Sequence, residues 1–228
     1  MPSDRVRARC TPASATAFGG NEAAGLHDPV DAGGPHCASR SVVPAAPKTY
    51  TSSNGSYRLT VFPRELAGAL PYFEDKVADN AEAGQRSEGL ARCEAVLERL
   101  EGAEYRRVWR KQLVNDVSPV SALVSAKDGS FVTFDNWHSR GWGDDAIVIY
   151  DGAGQVKRKL ALTSIMSKQE FDRLPRSASS IWWSGEHEID YDEVIVNVRV
   201  VTTNDSKSSD GSQYRTIRLS LETAQVLQ

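Results

Sequence analysis

One device recurs along this chain and limits what it can fold into. A turn rich in Gly, Asp or Asn is followed by a short run in which apolar and polar residues alternate. In "SSNGSYRLTV" the turn dipeptide is Asn54-Gly55, and Tyr57, Leu59 and Val61 then alternate with Arg58 and Thr60. "SAKDGSFVTFD" turns at Asp128-Gly129, and "AIVIYDGAGQVKRKLAL" turns at Asp151-Gly152. A period of two places alternate side chains on opposite faces of a strand, and Gly, Asn and Asp supply the positive φ angles of tight hairpin turns. Turns of this kind every 8 to 12 residues or so predict an antiparallel all-β domain, a meander of short strands in propeller-like or sandwich-like sheets.

Face assignments follow from the period. Val194, Val196, Val198 and Val200 point one way and Asn197 and Arg199 the other, and Ile217 and Leu219 alternate with Thr216 and Arg218. Ala146 to Tyr150 is apolar at every position, which predicts a central strand covered on both faces. "SIWWSGEHEIDYDEVIVNVRVV" is expected to turn at Ser184-Gly185 and again around Tyr191-Asp192, and Leu221 to Gln228 to add a last short strand.

Three stretches depart from the pattern. Residues 1–48 are dominated by Ala, Gly, Pro and Ser, too poor in bulky apolar groups to offset the entropy of ordering, so a disordered tail is expected, with the β domain over 49–228. Residues 63–90 are polar and Ala/Gly-rich without a sustained period, and read as a surface excursion with at most a helical turn. "LARCEAVLERLEG" fits a helix face through Leu90, Cys93, Leu97 and Leu100, or a strand through Cys93, Ala95 and Leu97. With "AEYRRVWRKQLV" behind it and Gly102 between, a hairpin is the preferred reading. One short helix is expected in "TSIMSKQEFDRLP", where Ser167 and Glu170 have capping-box spacing and Pro175 is the stop.

The turn-then-strand unit resembles the repeats of β-propeller proteins, in which a Ser-x-Asp-Gly turn enters each blade. "LVNDVSPVSALVSAKDGSFVTFDNWHSRGWGDDAIVIYDGAGQVKRKLAL" and "LPRSASSIWWSGEHEI" are similar to segments of uncharacterised bacterial proteins of propeller-like build. The resemblance implies a fold and no activity. Closed propellers use about four to eight four-stranded blades of about 40 residues. Residues 50–228 provide at most four, and the excursion takes part of one, so an open pair or trio of blade-like sheets is expected. Their edges would need charge, a covering loop or a partner.

Composition narrows the function classes. Twenty-seven basic and 30 acidic residues leave a net charge of -3, which gives no long-range field to attract nucleic acid. Arg106, Arg107, Arg110 and Lys111 alternate around Val108 and Trp109 as the solvated face of a strand does. No run approaches the roughly 18 apolar residues of a membrane helix, and the amino terminus has no apolar segment of a secretory signal, so no membrane role is expected and the compartment is left open. Three cysteines, Cys10, Cys37 and Cys93, with no CxxC pair, make neither a disulfide framework nor a zinc site.

The densest stretch is "FVTFDNWHSRGWGDDAIVIYDGAG", residues 131–154. A catalytic reading sets His138 with Asp135, Asp144 or Asp145 as a general-base pair, or as a metal site to which Asn136 adds an oxygen. A structural reading has Asp135 and Asn136 bonding backbone at a strand end, Trp137 packing under the sheet, Gly141 and Gly143 at positive φ, Asp144 capping the turn and His138 meeting a local partner. The structural reading is preferred, because no third element of a catalytic signature accompanies the loop. Neither Ser139 nor Ser184 lies in Gly-x-Ser-x-Gly, and His187 with Glu186, Glu188, Asp190, Asp192 and Glu193 lacks the His-Glu-x-x-His spacing. On a strand, Glu186 and Glu188 take the face opposite His187.

If Trp182 and Trp183 sit in a strand they point to opposite faces, one entering the core and the other finding cover or standing exposed. An outward indole beside Trp142 would form a platform for a ligand or partner. The sequence therefore predicts a non-catalytic interaction or structural module without a cofactor. It would meet a protein partner, or a second copy through its sheet edges, with Trp137, His138, Trp142, Trp182 and Trp183 as the binding residues. The alternative is a hydrolase or metal-assisted enzyme built on Asp135, His138 and Asp144 or Asp145.

Overall fold

A computed structural model of the chain describes residues 45–80, 82–190, 192, 194–204 and 212–227. The expected tail over 1–48 lies outside the described residues apart from 45–48, as do Cys10 and Cys37.

Twelve strands are described, in three antiparallel four-stranded sheets, and in each sheet the strands pair in chain order. Sheet 1 contains β1 (Lys48–Thr51), β2 (Tyr57–Phe62), β3 (Glu94–Glu101) and β4 (Glu104–Gln112). Sheet 2 contains β5 (Pro119–Val124), β6 (Phe131–Asn136), β7 (Ile147–Tyr150) and β8 (Val156–Leu160). Sheet 3 contains β9 (Ser184–Ile189), β10 (Ile195–Asn204), β11 (Ser212–Ser220) and β12 (Val226–Leu227).

The turns that separate the strands are made by the residues that announce them. Asn54 Oδ1 accepts the Ser56 N–H at 2.8 Å with Gly55 at φ 75°. Asp128 Oδ1 accepts the Ser130 N–H at 2.9 Å, and Asp151 Oδ1 the Gln155 N–H at 2.8 Å. Gly102, at φ 67°, turns β3 into β4, which resolves the ambiguous stretch as the hairpin.

The sheets pack in series, with sheet 2 in the middle. Phe131, Val148 and Tyr150 face sheet 1, where they meet Leu59, Leu97 and Cys93. Val132, Phe134, Ile147 and Ile149 face sheet 3, against Trp183, Val196, Val198, Ile217 and Leu219. Every residue of β6 and β7 is buried, which explains why β7 is apolar throughout: each of its faces is a core. The outer layers are polar on their far sides. Arg58–Glu98 and Arg110–Glu94 ion pairs cross sheet 1, and Arg199, Thr216 and Arg218 stand exposed on sheet 3. Cys93 belongs to the core, and burial pushes its thiol up to about 12.

Two expectations are corrected. Ser184-Gly185 is no turn but the start of β9, with Ser184 paired to Val200. Glycine serves close packing there: a Cβ on Gly185 would sit 3.0 Å from Tyr214 Cε1. The 63–90 excursion is more than surface loop. It contains helix α1 (Ala69–Val77), and its Tyr72 and Ala83 share a small core with Val117, which precedes β5. Buried Arg64 pins it, with Nη2 donating to the Ala83 carbonyl at 2.9 Å and meeting Asp116 at 3.1 Å.

The helix foreseen from its capping box is α2 (Lys168–Arg173), with the reciprocal Ser167 and Glu170 bonds in place, so two α-helices are described where one was expected. No helix among the described residues is long and apolar enough to cross a membrane.

Candidate functional site at the end of strand β6

Asp135 lies at the end of β6, where the chain leaves sheet 2. Its φ is 59°, a left-handed conformation that Asp tolerates better than most residues, and His138 follows at φ 62°. The Asp135 carboxylate is buried. Its Oδ1 accepts the Trp183 Nε1–H at 2.8 Å and the Gly141 N–H at 2.7 Å, and its Oδ2 faces Arg140 Nε at 3.3 Å. Asn115 Nδ2 donates to the Asp135 carbonyl at 3.1 Å and to Asn136 Oδ1 at 2.7 Å. Burial pushes the Asp135 carboxyl up to about 6, against the opposing pull of Trp183, Gly141 and Arg140. Both oxygens are engaged, so this carboxylate binds sheet 2 to the segment that enters sheet 3.

His138 is elsewhere. Its ring packs edge-on against Phe73 of α1 at 4.8 Å and Trp137 at 3.7 Å between centroids. Burial lowers its pKa, and Nε2 is buried without a hydrogen-bond partner, so the local partner expected of it is an aromatic contact instead. Among the described residues no hydrogen bond or ion pair joins His138 to Asp135, Asp144 or Asp145. Trp137 packs against Tyr72 of α1 at 5.9 Å. Gly141 and Gly143 take the positive φ angles expected of them, 75° and 93°, but Asp144 stands exposed and caps nothing. Among the described residues no group of three or more His, Cys, Asp or Glu side chains could hold a metal ion.

Trp182 and Trp183 precede β9 and lie in no strand, yet they separate into one inward and one outward indole. Trp183 is fully buried, whereas Trp182 is 48% and Trp142 37% exposed. The backbones that present the two exposed indoles lie side by side, because the Ile181 N–H donates to the Arg140 carbonyl at 2.9 Å. Gly141 makes that approach possible: a Cβ there would lie 2.9 Å from Ile181 Cβ.

Beside the Asp135 knot is a cleft of about 500 Å³, lined by β5, Phe134, Arg140, Ser184 and His187. Arg140 Nη2 donates to Ser184 Oγ at 3.1 Å. The His187 ring lies over Phe134 at 4.0 Å; burial, with the Arg140 charge beside it, lowers it to about 4, so it is neutral near pH 7. Sequence reasoning missed Arg140, since its partners, Asp135 and Ser184, come from different sheets. Its only local signal is its place next to Gly141.

The chain was compared with protein-family models, curated proteins and solved structures. It matches none of them.

Proposed function

We propose that the chain is a non-catalytic β module that works by contact, and that Trp142 and Trp182 are its contact residues. The observation that carries this reading is the pair of exposed indoles on neighbouring backbone, one on each side of the Ile181–Arg140 bond. Exposed tryptophan offers a large, rigid contact area and is enriched where binding energy is concentrated. The crowded loop then serves as a fastener, with Asp135 spent on Trp183, Gly141 and Arg140. Sheet edges are the weaker contact site. Exposed Arg106, Arg107 and Arg110 on β4, and Lys157 and Lys159 on β8, oppose strand addition. Arg106 and Arg110 are paired with Glu101 and Glu94, which also argues against a nucleic-acid face.

The likeness to propeller blades belongs to the same reading. It is supported by three consecutive four-stranded meanders, fewer than the about four to eight of a closed ring.

Two experiments test the proposal. Turnover on a panel of hydrolase substrates is expected to be nil; activity that disappears in a folded His138→Ala protein overturns it. The double variant Trp142→Ala, Trp182→Ala is expected to change stability by no more than about 0.5 kcal/mol, as surface sites do, and to release the partner that copurifies with the full chain. Retention of that partner at unchanged affinity would discard the tryptophan pair as the contact site.

A further inference from the structure

We propose that the free edge of β5 takes up an uncharged, extended peptide segment of a partner protein as a fifth strand of sheet 2. Among the described strands six stand at sheet edges. β1, β4, β8 and β9 carry Lys, Arg or Glu, and β12 has only two residues. β5 is six residues long and has no charged residue. Charge and shortness keep an edge from pairing with another chain, and β5 has neither guard. It contributes neither exposed indole, and its occupancy does not depend on the tryptophan pair.

The cleft of about 500 Å³ beside the Asp135 knot lies along that edge. Val120, Ser121, Ala122 and Leu123 all line it, although neighbours in a strand send their side chains to opposite faces. Ala122 packs into the core shared with sheet 1, and Leu123 against the core shared with sheet 3. One cleft meets four such residues in a row only along the main chain. The same holds of Ser184 to His187 on β9, which is also an edge strand.

The hydrogen bonds decide what β5 presents there. The Ser125 N–H donates to the Ser130 carbonyl at 2.8 Å, and Leu123 and Ser121 pair with Val132 and Phe134 in the same register. Main-chain groups alternate in direction along an antiparallel strand. Ser121 and Leu123 therefore bond β6, while Val120 and Ala122 turn their N–H and C=O groups to the free side. Among the described residues no hydrogen bond reaches those four groups. Ala122 is only 5% exposed, and a buried main-chain group without a partner is costly. A strand laid alongside supplies donors and acceptors at the matching two-residue spacing.

The occupant is uncharged because nothing along β5 would answer a charge. Arg140 and Asp135 line the cleft but meet each other at 3.3 Å, and Arg140 Nη2 donates to Ser184. Glu186 is exposed to solvent. The run of β5 that borders the cleft matches about four residues of extended chain, at about 3.3 Å each.

The test titrates the isotope-labelled full chain with the capped peptide acetyl-Thr-Val-Thr-Val-Thr-amide, and with the same peptide N-methylated at every internal amide. Saturable shifts of the Val120 and Ala122 amides are expected with the first peptide. The second cannot donate main-chain bonds and is expected to bind at least about tenfold more weakly. That comparison does not rely on any variant's folding. Val120→Pro removes one outward N–H and no bond to β6, at a residue that is 41% exposed. It is expected to fold and to bind the first peptide about fivefold more weakly or worse. The double variant Trp142→Ala, Trp182→Ala should bind that peptide as the wild type does, which separates this edge from the indole pair. Absence of saturable shifts, equal affinity for the methylated peptide, or shifts confined to other strands overturns the proposal. So does unchanged binding in folded Val120→Pro protein, or lost binding in the tryptophan variant. A wild-type dimer that Val120→Pro converts to monomer would give the edge to a second copy and overturn the peptide assignment.

Discussion

At Asp135 the chain buries a carboxylate whose oxygens meet an indole N–H, a backbone N–H and a guanidinium. Asp135→Ala leaves Trp183 Nε1 and the Gly141 N–H without acceptors and forces a non-polar residue into positive φ. A loss of about 3 to 5 kcal/mol is expected in urea unfolding. Asp135→Asn keeps an acceptor oxygen and tolerates the backbone angle, so its loss should be markedly smaller. Asp135 and His187 also give opposite pH dependences. The folded protein holds a proton on Asp135 between about 3.8 and about 6 that the unfolded chain has released, so this contribution is full below 3.8 and falls as pH rises to about 6. His187 refuses in the fold a proton that the unfolded chain binds between 6.5 and about 4, so its contribution is full above 6.5 and is lost as pH falls towards 4. Each amounts to about 3 kcal/mol, and over pH 4 to 6 the two slopes offset each other. Relative to wild type, Asp135→Asn should make stability rise with pH across that window, and His187→Phe should make it fall. Urea midpoints measured at several pH values check both signs.

Between elements, neighbouring sheets are clasped in one repeated way. Side chains on the outermost strand of one sheet donate to carbonyls in the last turn of the next. Trp109 Nε1 and Lys111 Nζ of β4 reach the Gly152 and Ala153 carbonyls at 2.9 and 2.7 Å. Lys157 Nζ and Arg158 Nη1 of β8 reach the Leu221 and Ala224 carbonyls at 2.8 and 3.0 Å. The β7–β8 turn that receives β4 also presses on the β5–β6 turn of its own sheet. A Cβ at Gly152 would lie 2.2 Å from the Asp128 carbonyl oxygen, and backbone on both sides would have to part. Gly152→Ala is therefore expected to cost about 3 kcal/mol or more in chemical denaturation, beyond any effect on turn propensity.

Across the whole molecule, sheet 2 depends on both neighbours. Its faces belong to two cores, one shared with sheet 1 and one with sheet 3, while the outer faces of the terminal sheets are polar. Amide hydrogens of β6 and β7 should exchange last, and only through global opening. Those of β4 and β12, each at the outer edge of its sheet, should exchange first. Native-state hydrogen exchange gives this ranking directly, and early exchange at Val132 or Val148 would contradict the layered arrangement.

The sequence by itself determined the local geometry. Alternation, fully apolar β7, the Asn54-Gly55, Asp128-Gly129 and Asp151-Gly152 turns and the Ser167 capping box are properties of a few adjacent residues, and backbone sterics convert them directly into strands, turns and a helix cap. Only the tertiary structure decided which side chains converge. Asp135 meets Trp183 and Arg140 meets Ser184 because sheets 2 and 3 stack, and His138 goes to Phe73 because the excursion folds into α1. Gly185 looked like a turn residue and is a packing residue, since the Tyr214 ring that it admits comes from a strand 29 positions further on. Periodicity is written residue by residue, whereas these encounters are set by how whole sheets lie against one another, and no spacing in the chain encodes that.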